Sequence, residues 1–568
     1  MLKRPLSPAL LPPPKRSHTN SSAYDHNPVY NFDSVFYDEL ILHIFLYLSW
    51  TDLCSIQGVN RNWARLSLDN QLWKNLYLSE YGRHRLRGRK GFVGRNNGRQ
   101  IKPLPSRAST EDITDWKWMF RISTNWRIGR CHISHIDMSP LQTESSTDSR
   151  GRVLEAAEHT HIVLTGTFTV LASSRPSFSP PIKFIPHIGQ DLTIPIERPG
   201  KQQIVQITTL VVDQSSPVSG VTRLAVCLSN GEFGVYEANS SNLHASSSVC
   251  KHTYAPPARS SRTVPIVQAA YHHPLFVTLS ESFHLSIYDL SSGSVKLLYT
   301  LSSFTSFPPS SLVLSMPEPL TYKLVLTYAT PVYPAHWSVG ATELVMSGAP
   351  SDPFMLTHSS SPSSTSLPSP APLPLRLVSS RSARSFDVSA GWIDETKLRL
   401  MREQWGRKVA RVAGTQTDGK WVILAPASAV PPLPPAPASV AIGAHTLSSH
   451  PLQLYRLYLP SLHAPPSAGP KLTFVRNLYG QIGPVAALAV ADGRCVSLSV
   501  NGSVWVWDLE NGTGTEVAAV QDYASVEEDG ENEADRSEGV IAKGTVAFDD
   551  RRIVSAGIGA VELRRFDI

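Results

Sequence analysis

LAVCLSNGEFGVYE (224–237), LFVTLSESFHLSIYD (275–289) and CVSLSVNGSVWVWD (495–508) are three versions of one pattern. Apolar residues alternate at period two, a small polar cluster interrupts them, the alternation resumes, and each copy ends on an aromatic residue followed by an acid. That is strand, tight turn, strand. Asn230-Gly231 and Asn501-Gly502 predict type I′ turns, in which both central residues take positive φ. Weaker copies lie at 312–339, 409–459 and 544–567. Tyr236 stands 52 residues before Tyr288, and Tyr288 stands 49 before Trp337. Sheet units repeating at this spacing point to a β-propeller before a sandwich. The strand-rich text runs from about residue 125 to 568, so seven blades would average about 63 residues, above the usual ~40–45. The excess falls in inserts that read as disordered: a Ser/Pro-rich one at 350–385, a Pro-rich one at 431–438, and an acidic one at 521–540, whose core is 522–538.

Toward the N-terminus the period changes to that of a helix. Leu40, Ile41, Ile44, Phe45 and Leu48 build one apolar face. Ser49, with Asp52 in capping-box position, predicts a second short helix bearing Leu53 and Ile56. A third carries Val59, Trp63 and Leu66. Asp69 caps a fourth with Leu72, Trp73, Leu76 and Tyr77, stopped by Gly82. Four short helices within 31–82 make a small orthogonal bundle whose apolar residues exceed what so small a core hides, and that surplus marks a partner surface. Residues 1–30 read as a disordered tail, with Lys3-Arg4 and Lys15-Arg16 as a weak nuclear signal or an ordinary basic tail. Residues 83–124 form a linker. Its first part, 83–102, carries eight basic residues and no acid; its second is a helix capped at Ser109 with Ile113, Trp116 and Phe120 on one stripe.

Composition narrows the function. The 568 residues carry 52 basic and 46 acidic side chains, a net +6 that does not by itself mark a nucleic-acid binder. Five cysteines at 54, 131, 227, 250 and 495, widely spaced and without CxxC, argue against a disulfide framework or zinc ribbon and for buried reduced thiols in a cytoplasmic or nuclear protein. No apolar run reaches the roughly 18 residues of a membrane span. Gly414–Lys420 nearly spells a phosphate-binding loop, but Trp421 stands where Ser or Thr would meet magnesium, and Trp421-Val422-Ile423-Leu424 reads as a strand. Asp418-Gly419 is therefore a hairpin turn. No nucleophile-and-base set or metal motif appears, so the expectation is a non-enzyme without cofactor or metal.

Residues 35–81 resemble an F-box, the helical module that docks onto the Skp-type adaptor of SCF ubiquitin ligases. The matching anchors are Glu39-Leu40, Ile44-Phe45-Leu46-Tyr47-Leu48, Asp52-Leu53, Val59-Asn60-Arg61-Asn62-Trp63 and Leu72-Trp73; Phe36-Tyr37 replace the family's opening Leu-Pro. Trp116, Trp118 and Asn125-Trp126-Arg127-Ile128-Gly129 resemble the linker of F-box proteins with a WD-repeat propeller, although only Trp505-Val506-Trp507-Asp508 is a good WD ending. The resemblance implies a small all-α F-box followed by a large all-β propeller of about seven blades (125–568). It also implies an SCF substrate receptor that does no chemistry. Its adaptor-facing candidates are Phe36, Tyr37, Leu40, Ile44, Leu48, Leu53, Val59 and Trp63, some facing the adaptor and some holding the bundle. The implied partners are the adaptor, the cullin and RING subunits beyond it, and a target protein, phosphorylated or not, headed for proteasomal degradation. The alternatives are an interaction scaffold, or a propeller that binds nucleic acid through 83–102.

Overall fold

The computed structural model describes residues 32–82, 115–138, 159–165, 168–186, 190–196, 203–215, 221–239, 249–256, 264–291, 294–333, 335–348, 375–386, 391–427, 451–462, 464–465, 468–518, 544–557 and 560–568. The tail 1–30, the basic loop 83–102, Ser109 as a cap, and the inserts 431–438 and 521–540 lie outside them. Two compact units result, Met1–Leu76 and Tyr77–Ile568.

In the first unit, α1 (Phe32–Val35), α2 (Asp38–Phe45), α3 (Trp50–Ser55), α4 (Arg61–Ser67) and α5 (Asn70–Tyr77) follow one another closely. Ser49 caps α3: its Oγ accepts from the Asp52 amide at 3.2 Å and donates to Asp52 Oδ2 at 2.7 Å. Asp69 Oδ1 accepts from the amide of Gln71 at 2.8 Å. The third helix starts later than its apolar residues suggest. Asn60 is its cap, accepting from the Trp63 amide at 2.8 Å, so Val59 precedes the helix. Ile41, Phe45, Leu53, Leu66, Leu72 and Trp73 are buried. The Trp73 indole N–H reaches the Ser67 carbonyl at 2.8 Å.

The second unit is a seven-bladed β-propeller: seven four-stranded antiparallel sheets, six of them consecutive in sequence. These occupy 160–195, 207–254, 266–302, 307–384, 412–478 and 485–518. The seventh pairs three C-terminal strands with one from the N-terminal side, His132–Ile136, whose register runs from His132 opposite Arg565 to Ile136 opposite Val561. Tyr236, Tyr288, Trp337 and Trp507 each sit on the third strand of a blade, which explains the aromatic spacing. The blades cohere through apolar clusters that bridge neighbours, such as Leu279, Ile287, Leu324 and Met346 between the third and fourth.

Several local expectations are corrected. The hairpin turns are not two-residue I′ turns. Ser229 to Glu232 separate the strands, only Gly231 (φ +79°) and Gly502 (φ +83°) are left-handed, and each asparagine instead accepts through Oδ1 from the amide two residues on, at 3.1 Å. The insert at 350–385 ends in structure: Arg376–Arg384 is the outer strand of the fourth blade, paired with His336–Ser347. An outer strand needs little apolar text, and RLVSSRSAR hides it. The linker helix spans Trp116–Ile128, with Asp115 Oδ1 accepting from the Trp118 amide at 3.0 Å, so Asn125–Ile128 is helical and not the onset of strands. Cys227 and Cys495 are buried and burial raises their thiol pKa values, but Cys54 and Cys250 are exposed. The Asp418 turn is as read: Oδ1 accepts from the amides of Lys420 and Trp421 at 2.9 and 2.7 Å.

The sixth blade holds a buried relay. Trp507 Nε1 donates to Ser497 Oγ at 2.9 Å, and Ser497 Oγ donates to Gln481 Oε1 at 2.6 Å. Ser497→Ala strands a buried indole N–H and a buried amide oxygen, and is expected to destabilise the propeller by about 1–3 kcal/mol. The midpoint of urea unfolding checks this; an unchanged midpoint rejects the relay as a stabilising element.

Candidate functional site

The helix α2 has two apolar faces. Ile41 and Phe45, one turn apart, face inward and are buried with Leu53. On the adjoining face, Tyr37, Leu40, Ile44 and Tyr47 follow a three-, four- and three-residue step, so they form one ridge. They are 78%, 50%, 43% and 80% exposed. An aromatic ladder ties the helix start to the core: Phe36 to Phe32 at 4.7 Å, Phe32 to Trp63 at 5.6 Å, and Trp63 to Phe45 at 5.7 Å between ring centroids. An Arg65–Asp38 ion pair links α4 to the first turn of α2, and Arg65 also donates to Asn62 Oδ1 at 2.7 Å. The ion pair is solvent-exposed and contributes little stability.

The candidate residues therefore separate. Phe36, Tyr37, Leu40, Ile44 and Val59 lie on the surface; Leu48 and Trp63 are half-buried; Leu53 is fully buried and holds the bundle. Sequence reasoning missed Tyr47 and Trp50, both exposed. Tyr47 had a signal, since it continues the ridge three residues after Ile44. Exposed apolar side chains concentrate on this small bundle, and covering each of them would contribute about 1.5–3 kcal/mol.

The propeller has its own polarity. In each blade the first-to-second and third-to-fourth turns lie at one end of the sheet, and the second-to-third turn and the connection to the next blade lie at the other. Phe178, Phe304, Tyr333, Trp392, Trp405 and Tyr479 are all exposed at this second end. At the first end, Leu320 and Tyr458 are the exposed large apolar residues of the blade turns among the described residues. That end also receives the linker helix: Trp126 stacks on Phe566 at 4.1 Å and its indole N–H donates to the Asp550 carbonyl at 3.0 Å. Among the described residues, no group of three or more His, Cys, Asp or Glu is placed to hold a metal ion, and no helix is long and apolar enough to cross a membrane.

Comparison with known proteins fits this division. Residues 38–79 match the F-box-like family, and residues 192–366 match the family described as F-box protein pof12 beta-propeller. The chain is an F-box protein with a β-propeller. Its F-box helices α2 to α5 lie within the first matched stretch, which includes Leu40, Ile44, Leu53, Val59 and Trp63. The F-box protein pof12 of Schizosaccharomyces pombe is 41% identical over 54 residues, which is 10% of this chain and 12% of that protein. Among solved structures, the WD40 β-propeller domain of Doa1 is 10% identical with a TM-score of 0.33, covering 72% of this chain and 92% of its own. The β-propeller domain of Cps50 (Swd1) from Myceliophteria thermophila is 9% identical with a TM-score of 0.34, covering 72% of this chain and 97% of its own.

Proposed function

We propose that this chain is the substrate-recognition subunit of an SCF-type E3 ubiquitin ligase. The observation that carries the reading is the exposed ridge Tyr37–Leu40–Ile44–Tyr47 on an F-box-like bundle whose core is already filled by Ile41, Phe45 and Leu53. In this reading the ridge docks into an apolar groove of a Skp-type adaptor, through which cullin and RING subunits join. The propeller holds the target protein with the end rich in exposed aromatics. The chain itself performs no bond-making step. It raises the effective concentration of the target's lysines at the conjugating enzyme's thioester, and proximity supplies the rate gain before proteasomal degradation.

The test is direct. The purified full chain is mixed with a Skp-type adaptor and run on a sizing column with light scattering. A one-to-one complex is expected, and addition of cullin, RING and conjugating enzyme should then ubiquitinate a protein captured by the propeller. A chain that elutes apart from the adaptor at micromolar concentrations would end this reading.

A further inference from the structure

The connection from the fourth to the fifth blade carries a helix, Glu395–Gly406, between the strands Arg376–Arg384 and Val412–Thr417. We propose that this helix, with Trp392 before it, docks an acidic peptide segment bearing apolar anchors within the propeller's target; the inference rests on the reading of that propeller end as the target-binding end.

The helix is well formed but has no buried residue. Asp394 caps it, with Oδ1 accepting from the Lys397 amide at 2.7 Å. Lys397, Met401 and Gln404 are half-buried on one side, and Trp405 meets Phe386 at 5.9 Å. The neighbouring face, Leu398, Arg402 and Trp405 at a four- and three-residue step, points to solvent, and Trp392 is 87% exposed. A surface helix draws its stability from burying an apolar face, and this one leaves Leu398, Leu400 and Trp405 exposed.

Charge identifies what covers it. Residues 391–411 hold six basic side chains and three acidic ones. Two of the acids are committed, Asp394 as the cap and Glu403 to Arg407 at 3.4 Å. Three of the bases are committed too: Arg407 lies over Phe474 at 4.3 Å, Lys408 over Trp405 at 3.9 Å, and Lys397 Nζ donates to the Trp392 carbonyl at 3.0 Å. Arg399 and Arg402 are exposed and have no acidic partner among the described residues. Guanidinium groups beside an apolar stripe fit carboxylates alternating with Leu or Phe, since arginine engages a carboxylate through two parallel hydrogen bonds. An anionic lipid surface calls for a cluster of about four to eight cations on a helix, and this helix carries Lys397, Arg399 and Arg402 alone.

The probe is a fluorescein-labelled peptide, Glu-Glu-Leu-Phe-Glu-Glu-Leu-Phe-Glu-Glu, titrated with the full chain and read by anisotropy; its Lys-for-Glu version and phosphatidylserine vesicles run in parallel. The acidic peptide is expected to bind and the lysine version not. Arg399→Glu with Arg402→Glu, and separately Leu398→Ser with Trp405→Ser, are each expected to weaken binding by at least about tenfold, the loss given by 1.4 kcal/mol. Both pairs should keep the circular dichroism of the parent and its adaptor capture. Equal affinity in parent and variants overturns the inference, as does vesicle binding that replaces peptide binding. Either result leaves adaptor capture, and with it the ligase reading, standing; loss of adaptor capture by the parent leaves the peptide measurement standing.

Discussion

Leu40→Asp combined with Ile44→Asp is expected to abolish capture of a Skp-type adaptor while the chain stays folded. Both side chains sit on the exposed ridge of α2, beside the buried face of Ile41 and Phe45, so the exchange opens no cavity. Each loses about 1.5–3 kcal/mol of apolar burial in the complex. Each also carries an unpaired carboxylate into an apolar groove, which adds to the loss. Together the loss is roughly 3–6 kcal/mol or more, which is about two to four orders of magnitude in affinity. Isothermal titration of the adaptor into the full chain measures it. Leu48 is half-buried and is left unchanged, because an acid there attacks the bundle as well as the ridge. Leu53→Ala serves as the contrast. Leu53 is fully buried, so the substitution is expected to remove about 2–5 kcal/mol of bundle stability and to diminish capture through unfolding. Loss of helical circular dichroism separates the two. If the double aspartate variant binds like the parent, the ridge is not the adaptor-facing surface.

What the sequence makes legible depends on how local the cause is. The three quoted hairpins are readable because each strand's inner neighbours force apolar alternation and each reversal needs small polar residues. Ring closure is not readable that way. His132–Ile136 pairs with 561–565 across more than 400 residues, and HISHI on an outer strand carries no strong alternation. Arg376–Arg384 escaped for the same reason, and the first blade, 160–195, escaped because its text does not repeat the aromatic-acid ending. In the bundle, spacing reveals that α2 has apolar residues on both sides. It does not say which side the neighbours cover. Leu40 and Leu53 are the same residue type with opposite fates, decided by where α3 and α4 pack. The helix Glu395–Gly406 was missed because its one apolar stripe, Leu398, Met401 and Trp405, is short and set among charged residues, with Leu400 off that face.

Trp126→Ala is expected to loosen the closure of the ring. Trp126 is buried on the linker helix, stacked on Phe566 at 4.1 Å with 15° between ring planes, and the Arg494 guanidinium lies 5.1 Å from its centroid. Beside it, Asn125 Nδ2 donates to the Phe566 carbonyl at 2.8 Å, and Thr515 Oγ1 donates to the Arg127 carbonyl at 2.8 Å. The helix is thus fastened to the sixth and seventh blades just before the chain enters the closing strand. Removing the indole leaves a cavity against Phe566 and deletes the hydrogen bond to the Asp550 carbonyl, for a loss of about 3–5 kcal/mol. That loss falls on the one blade whose strands come from both ends of the chain, where closing the long loop is entropically unfavourable and local packing must offset it. Opening of the closing strand then becomes more frequent than unfolding of the rest. Hydrogen exchange followed by mass spectrometry is expected to show faster exchange in peptides covering 132–136 and 561–565, while peptides from the third blade, 266–302, change little. Unchanged protection at the closing strand would mean that its pairing with 561–565 holds the ring without the helix, and that Trp126 contributes only to the fastening of the linker.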